Sequence, residues 1–316
     1  MERSMSRSTP QVQGTWDTRF APLRDVFAEA FRSGSEIGAA VAVVLDGRLV
    51  VDLRAGHADP ARTQPWTRDT IVHLYSVTKG MTALCAHRLI ERGALDLDAP
   101  VARYWPAFAQ QGKDAIPVRW LLSHRAGLPA LREPLPAEAL YDWDAMCRAL
   151  AAAAPCVEPG APVYHPMTFG WLVGELVRCV DGRGVGRFFA EEIAQPLDAD
   201  LFIGLGPAEE KRAADLTSLE PPAELLAAFE AAPSDGLPLV ALAFVNPMGT
   251  GDHNSPQHRR AEIPAINGHG DARALARIYG ALARGGTLGG VRVLAAESVE
   301  RARTLEVEGV DPLLEI

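Results

Sequence analysis

Long apolar runs and an export signal are missing from this sequence. No stretch reaches the roughly 18 apolar residues that a transmembrane helix needs, so we predict no contact with a membrane. The polar N-terminus, MERSMSRSTPQVQGT, has no apolar segment of the kind found in a secretory signal peptide, and we expect residues 1–14 to form a flexible tail. The net charge of -9 disfavours nucleic acid as a partner.

Metal and nucleotide signatures are also missing. The four cysteines show neither a C-x-x-C pair nor zinc-type spacing, which predicts reduced thiols in a cytoplasmic protein. Asp252, His253 and His258 lie close in sequence, but their spacing fits no standard metal site, so we expect a solvated loop and no metal there. No G-x-G-x-x-G motif or P-loop occurs, and we expect no cofactor. No G-x-S-x-G occurs, which argues against the nucleophile elbow of α/β-hydrolases.

Lysine is scarce, and one of the few lysines follows a serine by one helical turn. Of 31 basic residues only three are lysine, namely Lys79, Lys113 and Lys211. Ser76 and Lys79 form an S-x-x-K motif, and residues three apart share one face of a helix. A neutral lysine can take the serine proton, whereas arginine cannot, because it does not deprotonate in proteins. The positive end of a helix and burial would both lower the lysine pKa towards neutrality.

The neighbouring segments decide between a catalytic pair and a helix-capping serine beside a surface lysine. The segment PWTRDTIVHLYSVTKGMTALCAHRLIERG resembles the nucleophile segment of the serine β-lactamase and penicillin-binding-protein superfamily. LLSHRAGLP, residues 121–129, resembles a conserved stretch of its class C-like branch. YHPMTFGWLVGELVRCVDG, residues 164–182, is similar to the tyrosine segment of the family VIII carboxylesterases in that branch. The chain is therefore identified as a member of this superfamily.

The resemblance implies a fold and a domain arrangement. We expect an α/β fold in which an antiparallel sheet flanked by helices carries an inserted helical subdomain. Residues 15–70 and 265–316 would form the α/β lobe, incomplete at its C-terminal end. Residues 71–264 would form the mostly helical lobe, and within it residues 204–264, rich in proline and glycine, would form an irregular, lid-like segment.

The resemblance also implies a third catalytic residue, Tyr164, which would share the proton transfer with Lys79. β-Lactamases of this branch carry Tyr-x-Asn at this point, where the asparagine amide binds the β-lactam side chain. This sequence reads Tyr164-His165-Pro166, so the amide is missing, which favours an esterase. His165, Tyr75 and His269 are further candidates for lining the substrate pocket.

A final family motif is missing from the sequence. The family carries Lys-Thr-Gly, or a Trp/His-Gly-Gly form, on a strand near the C-terminus that adds one backbone N–H to the oxyanion hole. Gly268-His269-Gly270 is the nearest candidate, but a helix follows it directly, so it matches a loop and not that strand. Related chains continue further, and this one resembles a truncated or divergent member.

Three functions remain open at this point. The first is a carboxylesterase for small or short-chain esters, acting through an acyl-enzyme on Ser76. The second is a β-lactamase or D-Ala-D-Ala peptidase-type acyl transferase, which Pro166 disfavours. The third is a truncated, non-catalytic homologue. The predicted partner is a small ester, and the sequence does not fix the oligomeric state.

Overall fold

A three-stranded antiparallel sheet opens the chain. The computed structural model describes residues 10–217, 238–247 and 252–314. Its first sheet has the order β1-β3-β2, formed by β1 (Gln13–Trp16), β2 (Gly38–Leu45) and β3 (Arg48–Gly56). The Asp46-Gly47 turn joins β2 to β3, and both residues have positive φ angles of 51° and 77°, as a tight hairpin turn requires. An Asp-Gly dipeptide between two apolar, β-branched runs predicts such a hairpin, and the structure confirms it.

Two amphipathic helices pack against this sheet. Helix α1 (Ala21–Arg32) contacts β3, and helix α10 (Ala272–Ala283) lies across β2. The approach of α10 is close at Gly280, where an added Cβ would meet Val44 Cγ1 at 2.8 Å. The sheet is thus covered by segments from both ends of the chain.

A second, smaller sheet lies beside the helices and has the order β4-β6-β5. Its strands are β4 (Val72–His73), β5 (Leu201–Ile203) and β6 (Gly268–Gly270), all antiparallel to their neighbours. The assignment of residues 268–270 to a loop is therefore corrected, since they form the central strand of this sheet. Two glycines in three residues carry no strand pattern, and pairing on both sides creates the strand.

The remaining helices surround one large apolar core. Helix α2 (Thr78–Glu91) packs against α5 (Thr168–Asp181), whose residues from Thr168 to Val177 are all buried. The other helices and the last strands are α3 (Val118–Leu122), α4 (Trp143–Ala152), α6 (Val185–Phe189), α7 (Pro207–Glu210), α8 (Leu239–Val245), α9 (Pro256–Arg260), α11 (Ala296–Ala302), β7 (Thr287–Leu288) and β8 (Val291–Arg292). None of the described helices is long and apolar enough to cross a membrane.

Several predicted helices are shorter than the sequence pattern indicated. The sequence of residues 114–122 predicts a helix, which begins only at Val118, because Pro117 disfavours helical backbone at the residue before it. The sequence of residues 137–154 also predicts one helix, but this segment divides into a 3-10 turn and α4, with the Asp142 side chain capping the latter.

The predicted lid segment, residues 204–264, is only partly described. Helices α7, α8 and α9 occupy the described parts, whereas residues 218–237 and 248–251 lie outside the described residues. Most of the predicted tail, residues 1–9, also lies outside them, and β1 already begins at Gln13. The proposed boundaries of the two lobes stay a prediction.

Candidate active site

Ser76 lies in the tight connection between strand β4 and helix α2. Its side chain is exposed, and helix α2 begins two residues later at Thr78. The preceding residue, Tyr75, has a φ of 45°, which is uncommon for a bulky side chain. Backbone strain of this kind is held in place by the surrounding structure and is frequent at functional sites. The connection therefore presents the Ser76 hydroxyl to solvent at the positive end of a 14-residue helix.

Lys79 reaches Ser76 from the buried side of the helix. Its Nζ lies 3.0 Å from Ser76 Oγ, and it donates to the carbonyl oxygens of Pro166, at 2.7 Å, and Ala265, at 3.0 Å. The side chain is 7% exposed, and no carboxylate contacts it among the described residues. Burial without a counter-ion lowers the pKa of Lys79 to about 7.

This arrangement suits a neutral amine. A neutral lysine has two N–H donors and one lone pair, and the two carbonyl oxygens use both donors. The lone pair is then left for the Ser76 hydroxyl. The site can therefore accept the serine proton at neutral pH, as the S-x-x-K spacing predicts.

Tyr164 approaches Ser76 from the opposite side. Its hydroxyl donates to Ser76 Oγ at 2.8 Å, and Lys79 Nζ lies 5.0 Å from the centre of its ring. The three side chains thus meet at one oxygen atom, which gives a proton two short routes away from the serine. A cation at this distance from the ring face is also stabilised by the ring.

Backbone contacts on both sides fix the position of Tyr164. Its N–H donates to Asp311 Oδ2 at 2.6 Å. On the other side, His124 Nδ1 accepts a hydrogen bond from His165 N–H at 3.1 Å, and the His124 ring packs 5.0 Å from the Tyr164 ring. Burial lowers the pKa of His124 to about 3, so this ring is neutral and serves as an acceptor.

Thr78 connects the nucleophile turn to strand β6. Its Oγ1 donates to the carbonyl oxygen of Tyr75 at 2.6 Å and accepts from Gly268 N–H at 2.8 Å. A side chain at position 268 would collide with this hydroxyl, because an added Cβ would lie 2.7 Å from Oγ1. The bridge holds the turn so that the Ser76 N–H, which makes no backbone hydrogen bond within the described ranges, is free to donate to an oxyanion.

Two of the three predicted pocket residues are located elsewhere. His165 and His269 are each 1% exposed, so neither ring can line an accessible pocket, and this part of the prediction is corrected. His165 Nε2 accepts from Leu128 N–H, and His269 Nδ1 bonds to the Asn267 carbonyl oxygen. Tyr75 is exposed beside Ser76, where a substrate can reach it.

Comparison with known proteins places this site in a family. A family model described as Beta-lactamase matches residues 23–312. The chain belongs to the Beta-lactamase family. It is 41% identical over 297 residues to the Esterase/beta-lactamase LipL of Mycobacterium tuberculosis, which covers 92% of this chain and 68% of that protein. It is also 29% identical over 201 residues to Esterase EstB of Burkholderia gladioli, covering 56% of this chain and 49% of that protein.

Solved structures of the Beta-lactamase family agree with the fold. The crystal structure of a family VIII carboxylesterase matches with a TM-score of 0.88 and 39% identity, covering 97% of this chain and 80% of that chain. A penicillin-binding-protein homologue from Caulobacter crescentus matches with a TM-score of 0.87, 40% identity and the same coverage. The predicted superfamily and its α/β fold are confirmed, and the family relationship supports a serine hydrolase with ester activity.

Some residues of this Beta-lactamase-family site were not predicted from the sequence. Asp311, which binds the Tyr164 N–H, lies 147 residues after Tyr164, and no local motif identifies it. The two carbonyl acceptors of Lys79 are backbone atoms, which residue identity does not reveal. Pro166 gave one hint of its role as an acceptor for Lys79. Proline has no N–H, so its backbone can take part in a hydrogen bond only through the carbonyl oxygen.

Proposed function

We propose that this chain is a carboxylesterase that acts on small or short-chain esters. The convergence of Lys79 Nζ and Tyr164 OH on Ser76 Oγ, at 3.0 and 2.8 Å, carries the proposal. The base and the proton donor are each within hydrogen-bond distance of the nucleophile, as nucleophilic catalysis requires. The proposed reaction uses these three side chains, the Ser76 N–H and water.

The proposed reaction begins when Ser76 Oγ attacks the ester carbonyl carbon. The hydroxyl proton passes to Lys79 Nζ, and the carbonyl oxygen becomes an oxyanion that the Ser76 N–H stabilises. Collapse of this intermediate breaks the bond to the alkoxide, which takes a proton from Tyr164 while Lys79 restores the tyrosine. Water then attacks the acyl-enzyme by the same route, releasing the carboxylic acid and regenerating Ser76.

The segment after Tyr164 favours esters over β-lactams. Pro166 stands where β-lactamases of this branch have an asparagine, and its ring has no amide to bind a β-lactam side chain. Its carbonyl oxygen accepts from Lys79 at 2.7 Å, so this residue helps to hold the base. β-Lactamase or D-Ala-D-Ala peptidase activity remains the second candidate, because LipL is named both esterase and β-lactamase.

A parallel assay with two chromogenic substrates tests this proposal. We expect turnover of p-nitrophenyl acetate or butyrate, little turnover of a chromogenic cephalosporin, and loss of ester turnover in Ser76→Ala. The exposed Ser35→Ala is the matched control and should retain full activity. Cephalosporin turnover without ester turnover would establish the second candidate. No turnover, together with no labelling of Ser76 by a fluorophosphonate, would mean that this chain is a non-catalytic homologue.

We also propose a cytoplasmic location for the enzyme. All four cysteines are free thiols, and two of them, Cys85 and Cys147, are buried. Free thiols are typical of proteins that work in a reducing compartment. Fractionation of cells that express the full natural gene would test the location.

A further inference from the structure

Three histidines from separate segments meet behind Tyr75. His73 ends strand β4, His253 precedes helix α9, and His258 lies within that helix. One ring nitrogen from each of the three lies within 4.8 Å of the others. His253 Nδ1 and His258 Nε2 are only 3.1 Å apart. Two nitrogens bound to one tetrahedral zinc ion, each at about 2.0–2.1 Å, would be about 3.4 Å apart, so this pair already has nearly the required spacing.

Two of these rings have buried nitrogens without partners. His73 is 6% exposed and His258 is fully buried, and within the described ranges neither His73 Nε2 nor His258 Nδ1 has a hydrogen-bond partner. Leaving a polar atom buried and unpaired is destabilising. The unpaired His73 Nε2 therefore indicates a place for a ligand, and His258 would offer its other nitrogen, Nε2, which lies beside His253 Nδ1.

All three rings of the cluster are held in their uncharged form. Burial, together with the neighbouring imidazoles, lowers the pKa of His73 to about 2 and that of His258 to about 4. Burial also lowers the pKa of His253, which the adjacent Asp252 partly offsets. At neutral pH all three rings are therefore neutral, the form in which histidine binds metals.

We propose that His73, His253 and His258 form a binding site for one divalent transition-metal ion of the zinc class. Three imidazoles leave one coordination position open for water or a small anion. Borderline cations such as Zn²⁺, Co²⁺ and Ni²⁺ suit imidazole, whereas Mg²⁺ and Ca²⁺ prefer oxygen ligands. This site is independent of the proposed esterase reaction, which uses none of the three rings.

The site is connected to the nucleophile turn through one bond. His73 Nδ1 accepts a long hydrogen bond, 3.3 Å, from Tyr75 N–H. Metal binding through Nε2 moves the ring proton to Nδ1, which ends this acceptor role. The His73 ring can therefore bind either the ion through Nε2 or the Tyr75 N–H through Nδ1, but not both at once.

Cobalt titration of the metal-stripped protein tests the site directly. We expect one Co²⁺ per chain with the visible spectrum of a tetrahedral ion and no thiolate-to-cobalt absorption, which excludes the cysteines as ligands. Zn²⁺ should displace the cobalt. His253→Ala should raise the dissociation constant at least about 10–100-fold, the range already seen for residues that only support a ligand. His87→Ala, in helix α2 and outside the cluster, is the matched control and should bind as the wild type does.

A gain-of-signal variant keeps the test independent of folding. His253→Cys replaces a nitrogen ligand with sulfur, so the thiolate-to-cobalt absorption missing from the wild type should appear. Thermal melting in the presence of a chelator checks that both variants are folded; His253 is partly exposed, which favours this. The proposal is overturned if wild-type protein leaves Co²⁺ with the spectrum of the hydrated ion, or if His253→Ala binds it as tightly as the wild type. Either result would leave a simple His253–His258 hydrogen bond.

Discussion

The backbone N–H of Tyr164 donates a 2.6 Å hydrogen bond to Asp311 Oδ2, which joins the C-terminal segment to the residue that faces Ser76. The other carboxylate oxygen of Asp311 accepts from Leu313 N–H at 2.7 Å. Nearby, Leu313 packs with Ala130 and Val163 in a small apolar cluster. The position of the Tyr164 hydroxyl therefore depends on a segment that lies far from Tyr164 in sequence.

Asp311→Ala should lower ester turnover without removing any group that touches the serine. We expect kcat to fall several-fold with little change in KM, because the Tyr164 backbone loses its acceptor and its hydroxyl becomes less well placed. Stability should fall by about 1–3 kcal/mol, because the Tyr164 N–H is left unpaired. Steady-state kinetics and thermal melting measure the two effects. Asp311→Asn, which keeps an acceptor oxygen, should recover part of the turnover, and equal loss in both variants would contradict this role.

Tyr164→Phe should separate proton transfer from folding. The hydroxyl bonds to Ser76 Oγ at 2.8 Å, so its removal should lower kcat about 10²–10⁴-fold, the usual contribution of a general acid or base. The ring and its packing against His124 remain, and the melting temperature should stay close to that of the wild type. Unchanged kcat would exclude Tyr164 from the proton path.

Lys79→Arg should abolish acylation although the positive charge is retained. Arginine keeps its proton at any pH at which proteins fold, so it cannot act as the base for Ser76. A stopped-flow burst of p-nitrophenol from an activated ester measures acylation directly. The exposed Lys211→Arg is the matched control and should give the wild-type burst. A normal burst in Lys79→Arg would assign the base to another group.

The pH profile of turnover should report the titration of Lys79. Because burial lowers its pKa to about 7 and the neutral amine is the base, kcat/KM should rise with pH, reach half its maximum near pH 7 and level off above it. The free energy of unfolding should also increase with pH. The unfolded lysine keeps its proton up to about 10.4, so between pH 7 and that value the unfolded state binds more protons and stability rises with pH. A profile that stays flat from pH 6 to 9 would contradict a lowered lysine pKa.

Thr78→Val should disturb the nucleophile turn with almost no change in shape. The substitution removes the Oγ1 atom that bridges Tyr75 and Gly268, and it leaves the Gly268 N–H buried without an acceptor. We expect a loss of about 1–3 kcal/mol in stability together with reduced turnover. Thr304→Val, at an exposed helix end, is the control and should be close to neutral. Urea denaturation and ester assays on both variants check the prediction.

Local patterns predicted the features that lie close together in sequence. The Asp46-Gly47 hairpin and the start of helix α2 follow from turn chemistry and helical periodicity within a few residues. The placement of Lys79 beside Ser76 follows from a spacing of three on one helix. The role of Tyr164 could be predicted only from the family resemblance. Nothing in its own segment indicates contact with a serine 88 residues away in sequence.

Features built by tertiary contact could not be predicted from the sequence. His253 and His258 gave a weak metal signal, and His73, from another segment, is what completes their cluster. Strand β6 was missed because its two glycines have no strand preference and are paired only by β4 and β5. The histidine cluster and strand β6 both depend on contacts between segments that are distant in sequence. Hydrophobic periodicity within one segment does not predict such contacts.

The two carbonyl oxygens that hold Lys79 make its lowered pKa depend on distant parts of the chain. Pro166 and Ala265 come from segments made long after Ser76, and only the assembled chain brings them to the amine. A nascent or unfolded chain keeps its lysine hydrated and protonated, so its serine is an ordinary, unreactive alcohol. The lowered pKa of Lys79 therefore arises only with the completed tertiary structure, so an unfolded chain lacks the proposed base.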